Sequence, residues 1–152
     1  MKRLHIHLSV PELESAIHFY SQMFGATPTK QKPDYAKWQL EDPMVNFAIS
    51  TRSSKIGLDH LGIQVSDETE LKQLNDRLHE NDIDAGQLDS TTCCYAESIK
   101  SWSFDPAGIP WESFTTMKDA EVYGEDNPLV SNIDEACCPG QAPIKGPVSS
   151  CC

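Results

Sequence analysis

Residues 91–100 of this 152-residue chain read TTCCYAESIK, so two cysteines, Cys93 and Cys94, stand side by side. Neighbouring Cα atoms lie about 3.8 Å apart across a trans peptide, whereas ordinary disulfides span roughly 4.4–6.8 Å. Adjacent thiols therefore suit a pincer around one soft, thiophilic atom better than a bond to each other. The plainer alternative is two small residues ending a loop, one of them buried. All six cysteines come in adjacent pairs, Cys93–Cys94, Cys137–Cys138 and Cys151–Cys152, which favours the pincer. Tyr95, Lys100 and Trp102 flank the first pair. The aromatics could shape a pocket and Lys100 could lower a thiol pKa; core packing for the rings and solvent for the lysine are the plainer reading.

A second pattern is spread along the chain. His5 opens the run HIHLSV and His60 opens HLGIQV, so each lies five residues before a valine, Val10 or Val65. Glu112 sits in WESF near the end of the patterned sequence. Two histidines and one carboxylate on rigid strands form the facial triad of non-haem Fe(II) sites, which leaves three coordination positions open. His7 shares a face with His5 and competes with it, and His5 could equally be a solvated strand residue. His18 and His79 lie on helical patterns where solvent accounts for them.

The elements that must position these residues can be read from periodicity. In LHIHLSV (4–10), Leu4, Ile6, Leu8 and Val10 face one way and His5, His7 and Ser9 the other, as in a half-buried strand. A helix follows in PELESAIHFYSQMFG, with Pro11 suited to its first turn, Leu13, Ala16, Ile17, Tyr20 and Phe24 at helical spacing, and Gly25 as its stop. YAKWQL and VNFAIS read as strands joined by a turn at Asp42-Pro43. The plan repeats at an offset of 55 residues: DHLGIQV is a strand and SDETELKQLNDRLHEND a capped helix with Leu71, Leu74 and Leu78 on one stripe. Short strands follow at about 91–96, 99–104 and 110–116, with a turn at DPAG. This predicts an α+β fold of two βαβββ modules, about 1–52 and 57–116, in an open, barrel-like mixed sheet with a concave site. If the modules pair, His5, His60 and Glu112 meet in that cleft. Residues 117–152 lack an apolar period and carry two lysines against six acids, so a flexible cysteine-containing tail is expected.

Bulk composition narrows the partners. A net charge of −11 disfavours nucleic acid and anionic membranes, and no run approaches the roughly 18 apolar residues of a membrane span. The start, MKRLHIHLSV, has no long apolar stretch and no small-residue cleavage site. A cytoplasmic protein is expected, in a compartment where thiols stay mostly reduced.

The paired H-x₄-V strand starts, the VPELESAIHFY helix start and DPAGIPWE together resemble the vicinal oxygen chelate superfamily, which includes glyoxalase I, bleomycin-resistance proteins and extradiol dioxygenases. The resemblance covers about residues 2–116. Within it, TTCCYAESIKSWSFDPAGIPWESF is similar to the C–As lyases and the related cadmium-induced proteins. The resemblance implies an Fe(II)-dependent enzyme that uses O₂ to break the carbon–arsenic bond of trivalent organoarsenicals such as methylarsenite or aromatic arsenicals. In that reading His5, His60 and Glu112 match the metal positions and Cys93–Cys94 the thiols that hold arsenic. The alternative is a non-catalytic binder of Cd(II) or As(III), using the same thiols. Glyoxalase I has a fourth protein ligand near VNFAIS, where this chain offers Asn46, Phe47 and Ala48 and no carboxylate. That counts against isomerase chemistry. A drug-binding relative without metal is disfavoured because all three triad positions are filled. The tail thiols Cys137, Cys138, Cys151 and Cys152 could deliver or scavenge soft metal. A monomer or a homodimer would fit, because two such modules build one site within a chain or across a dimer.

Overall fold

A computed structural model describes residues 2–121 and Gly124. The first module runs β1 (Arg3–Ser9), α1 (Leu13–Phe24), β2 (Lys30–Lys32), β3 (Tyr35–Glu41) and β4 (Met44–Ser50). The second runs β5 (Gly57–Gln64), α2 (Glu68–His79), β6 (Asp89–Cys93), β7 (Ala96–Phe104) and β8 (Pro110–Asp119). The eight strands form one mixed sheet in the order β2-β3-β4-β1-β5-β8-β7-β6. Each module contributes four neighbouring strands, and the first strands of the two modules pair antiparallel at the centre. Within each module the first strand pairs parallel with the last, β1 with β4 and β5 with β8. The predicted α+β arrangement of two βαβββ modules is the observed one.

Both helices pack on the convex face. Pro11, expected in the first turn of α1, lies one residue before its N-cap, Glu12, whose carboxylate accepts from the backbone N–H groups of Glu14 and Ser15, and Gly25 closes the helix at φ 61°. The apolar stripe of α1 (Leu13, Ala16, Ile17, Tyr20, Phe24) buries against Trp38, Phe47 and Ile49 of β3 and β4 and Ile6 and Leu8 of β1. Leu71 and Leu74 of α2 do the same against Ile63, Val65 and Ile99. With the apolar side of each strand taken up by a helix, the opposite side of β1, β5, β7 and β8 lines the concave cleft.

The strand predicted at 91–96 is not continuous. It breaks at a two-residue hairpin in which Cys93 pairs with Ala96, and Cys94 and Tyr95 form the turn with φ 56° and 58°. Two successive left-handed residues are the signature of a type I′ turn, which ordinarily carries Asn-Gly. The usual signature is missing here, so pattern reading extends the strand through the turn.

Candidate functional site

His5, His60 and Glu112 come together as the repeat predicts. The two Nε2 atoms are 3.1 Å apart, and Glu112 Oε2 lies 3.8 Å from His5 Nε2 and 3.7 Å from His60 Nε2. All three side chains are buried, so the alternative of a solvated His5 is set aside.

Each ring is oriented from behind. His5 Nδ1 is 2.9 Å from the carbonyl oxygen of Asn46, which can only accept, so Nδ1 carries the proton and Nε2 the lone pair. His60 Nδ1 faces Asp59 Oδ1 at 2.6 Å. Asp59 should point to the opposite face from its neighbour, and a bulge explains why it does not. His7 pairs with His60 but Leu8 pairs with Leu58, leaving Asp59 as the extra residue. The kink brings its carboxylate to His60 and to the Ser9 hydroxyl, which donates to it at 3.3 Å. A carboxylate or carbonyl behind a ligating imidazole is the usual support of a metal centre. Sequence reasoning misses Asp59 because alternation places it on the wrong side.

The electrostatics fit a cation. Two imidazole lone pairs cannot face each other at 3.1 Å without a proton or a metal between them. Burial lowers the basicity of His5 to about 4, with the His60 charge adding to the effect. Burial also works against protonated His60, but the hydrogen bonds and charges of Asp59 and Glu112 outweigh it and hold that ring up at about 9. The proton on His60 thus stands where a divalent ion would. For Glu112, burial favours the neutral acid, yet Lys100, His60 and His5 hold it well below the usual carboxylate range. The donor set of two outward-held imidazoles and one carboxylate suits a divalent first-row metal such as iron. His7, the competitor of His5 in the sequence, joins the group rather than replacing His5: His5, His7 and His60 each offer a ligand atom within 4.8 Å of the others.

Gly62 makes room for Glu112. A Cβ at Gly62 would lie 2.4 Å from the backbone oxygen of Glu112, its partner in the β5–β8 register. Gly62→Ala should push β8 away from β5 at the carboxylate. We expect the metal-free protein to lose about 1–3 kcal/mol, in the range of an overpacked core, and metal affinity to fall with it. Thermal melts and a metal titration read the two effects; unchanged values in both would show that β8 yields at no cost.

Around this group the cleft continues to the thiols. Lys100 is buried rather than solvated, and its Nζ donates to Glu112 Oε1 at 2.5 Å. Trp102 forms the wall, its ring 5.0 Å edge-on from His60. Tyr95 packs with Tyr35, Ala48, Cys93 and Cys94, and its hydroxyl donates to Asp34 at 2.6 Å. The Cys93 and Cys94 sulfurs are 3.2 Å apart, well beyond the roughly 2.05 Å of a disulfide. The hairpin carrying them crosses the cleft mouth: Ala48 and Tyr35 belong to the first module, and Lys30 of β2 donates to the Tyr95 carbonyl at 2.8 Å. Lys100 acts on the thiols in the expected direction but does not decide the outcome. Lys100 does pull Cys94 down, but the Cys93 contact and burial push that thiol up by more. Cys137, Cys138, Cys151 and Cys152 lie outside the described residues.

A profile of the glyoxalase/bleomycin resistance protein/dioxygenase superfamily matches residues 2–113. A trivalent organoarsenical cleaving enzyme of Bacillus sp. strain MD1 is 42% identical, covering 100% of this chain and 99% of that protein. Cadmium-induced protein CadI of Mycobacterium bovis is 34% identical, covering 95% of this chain and 97% of its own. Among solved structures, the Mn(II)-bound glyoxalase from Novosphingobium aromaticivorans superposes with a TM-score of 0.55 at 13% identity, over 80% of this chain and 42% of that one. That likeness bears on the fold alone.

Proposed function

The chain belongs to the glyoxalase/bleomycin resistance protein/dioxygenase superfamily, and we propose that it is a C–As lyase that uses Fe(II) and O₂ to release arsenite from trivalent organoarsenicals such as methylarsenite, in arsenical detoxification. The observation that carries the proposal is the juxtaposition of two unlike sites in one cleft. A buried His5–His60–Glu112 group faces a hairpin with two adjacent thiols, and Lys100 feels the charge of Glu112, Cys93 and Cys94 together. The relatives named for organoarsenical cleavage support the substrate class.

Methylarsenite carries two exchangeable hydroxyls and one carbon. The two thiols replace the hydroxyls, each sulfur attacking as thiolate and its proton going to the departing hydroxyl, so that two waters leave and the methyl group stays on arsenic. Cys93 and Cys94 meet that stoichiometry, and the left-handed turn presents both sulfurs on one side of the hairpin tip. Strain of this kind is held where a site needs it. Two tethered thiols also fix the orientation of the carbon before reaction. His5, His60 and Glu112 would hold Fe(II), which when bound supplies the activation of O₂ for oxidative cleavage. Lys100 keeps Glu112 ionised and offers its ammonium to the thiolates. Trp102, together with the packing of Tyr35 and Tyr95, excludes water from the cleft. The atoms balance without a further reductant: one methylarsenite and one O₂ give one arsenite and one formaldehyde. Arsenite formation that needs both Fe(II) and O₂, and stops with a chelator or under anaerobic conditions, tests the proposal. Undiminished arsenite formation after iron removal would contradict it.

The thiols set a pH dependence. Thiolate, not thiol, attacks arsenic. Cys94 is held above its ordinary pKa, chiefly by its contact with Cys93 and by burial, so at neutral pH it is mainly protonated and its thiolate fraction rises with pH. The rate of methylarsenite capture should climb about tenfold per pH unit between roughly pH 7 and 9. Stopped-flow tryptophan fluorescence reads it, and a plateau reached near neutral pH would show a thiolate already formed.

A second reading is sequestration of Cd(II) or As(III) by the thiols with no turnover, and the cadmium-induced relatives favour it. The buried His5–His60–Glu112 group, with Asn46 and Asp59 behind its rings, speaks against it, because a thiol scavenger has no use for that group.

A further inference from the structure

The geometry points to His7 as a fourth protein ligand, making the centre three imidazoles and one carboxylate. This rests on the metal-centre reading above and goes beyond its three residues. His7 is 3% exposed. One of its ring nitrogens, Nε2, is 3.0 Å from the Ser50 hydroxyl. The other, Nδ1, is buried and has no hydrogen-bond partner among the described residues. A buried imidazole nitrogen left without a partner costs free energy, and a metal would satisfy it. The ring lies 4.8 Å, centroid to centroid, from His60, and its ligand atom falls within 4.8 Å of those of His5 and His60. Two nitrogens at about 2.1 Å from one ion stand roughly 3.0 Å apart side by side and roughly 4.2 Å apart across it; His5 and His60 already have the first spacing, and His7 would take a place across the ion from one of them by closing toward the other.

The pseudo-symmetry of the sheet points the same way from an independent observation. His60 occupies in β5 the place of His5 in β1, so Gly62 corresponds to His7. In the second module Gly62 pairs across the parallel ladder with Glu112. In the first, His7 pairs with Ala48. Ala48 therefore stands at the position equivalent to Glu112, fully buried and with no donor. One module places a small residue on its first strand and a carboxylate on its last. The other places an imidazole on its first strand and a small residue on its last. Each half thus adds one donor to its shared histidine, and the sum is four. In an octahedral centre that leaves two open positions where a facial triad leaves three.

The test uses Cu(II) and Co(II) as probes on the full chain under anaerobic conditions. Pulsed EPR of Cu(II)-loaded wild type should count three coordinated imidazoles. In His7→Gln, which keeps a hydrogen-bonding side chain for Ser50, the count should fall to two. Co(II) should then bind more than about tenfold more weakly, since even a residue that only supports a ligand from behind is worth roughly 10–100-fold. Two imidazoles in wild type would overturn the inference, and that count needs no variant to fold. An unchanged Co(II) affinity in folded His7→Gln would overturn it as well. If His60→Ala lost Co(II) while His7→Gln did not, this inference would fail and the His5–His60–Glu112 reading would stand. If His60→Ala also bound Co(II) like wild type, both would fail.

Discussion

The Cys93→Ser/Cys94→Ser double variant should lose more than about a thousandfold in methylarsenite turnover while binding Fe(II) as tightly as wild type. Serine hydroxyls do not exchange onto trivalent arsenic as thiolates do, so substrate would no longer be held with its carbon fixed in the cleft. Orientation of that kind is worth several orders of magnitude in rate. The hairpin should survive, because the φ of 56° at Cys94 is a backbone matter that serine meets no worse than cysteine. Metal titration and turnover on the same preparation separate the two sites. Retention of normal turnover would rule out the thiol pincer. Simultaneous loss of iron binding would mean that the hairpin shapes the metal centre instead.

Glu112→Gln should have the second large effect, and it acts on both metal and fold. A neutral amide lacks the carboxylate's charge and is a far weaker ligand for Fe(II), so Fe(II) binding should fall steeply even with the imidazoles in place, and turnover with it. The substitution also removes the partner of buried Lys100, whose ammonium sits 2.5 Å from the carboxylate. Leaving one member of a buried pair uncompensated costs roughly 3–5 kcal/mol. The metal-free variant should therefore melt well below wild type, and Lys100→Met in the same chain should recover part of that loss without restoring iron binding. A Glu112→Gln protein that binds iron normally would show that the carboxylate serves only Lys100.

Several of these features are legible in the amino-acid sequence. The offset of 55 residues between His5 and His60 is visible because two β-strands keep the same alternation, and a module repeat forces equivalent residues to a common cleft. Glu112 can be placed for the same reason, since Trp111 and Ser113 face away from it. What alternation cannot reveal is whatever breaks the period. Asp59 reaches His60 only through a bulge, and nothing in LDHLG marks one. Cys94 and Tyr95 form a tight turn without glycine or asparagine, so a periodic reading runs a strand through them. β2, three residues long, is too short to show a period. His7 falls on the right face by alternation, but only the register with Ala48 shows why two histidines on one strand need not compete. The burial of Lys100 follows from its pairing with Glu112 across twelve residues, a contact that depends on the β7–β8 register.

Chemistry at arsenic, as opposed to binding, is read out by one count. Protein reconstituted anaerobically with Fe(II) is given a roughly tenfold excess of methylarsenite, more than the three cysteine pairs of each chain can hold, then O₂, and the arsenite formed per chain is followed with time. Several arsenites per chain, rising until substrate is spent, is the result expected of a C–As lyase. Methylarsenite held on the thiols, at most one per cysteine pair and so up to three per chain, with no arsenite formed, would contradict it and leave a thiol-based binder in a fold whose buried histidines and glutamate serve some other end.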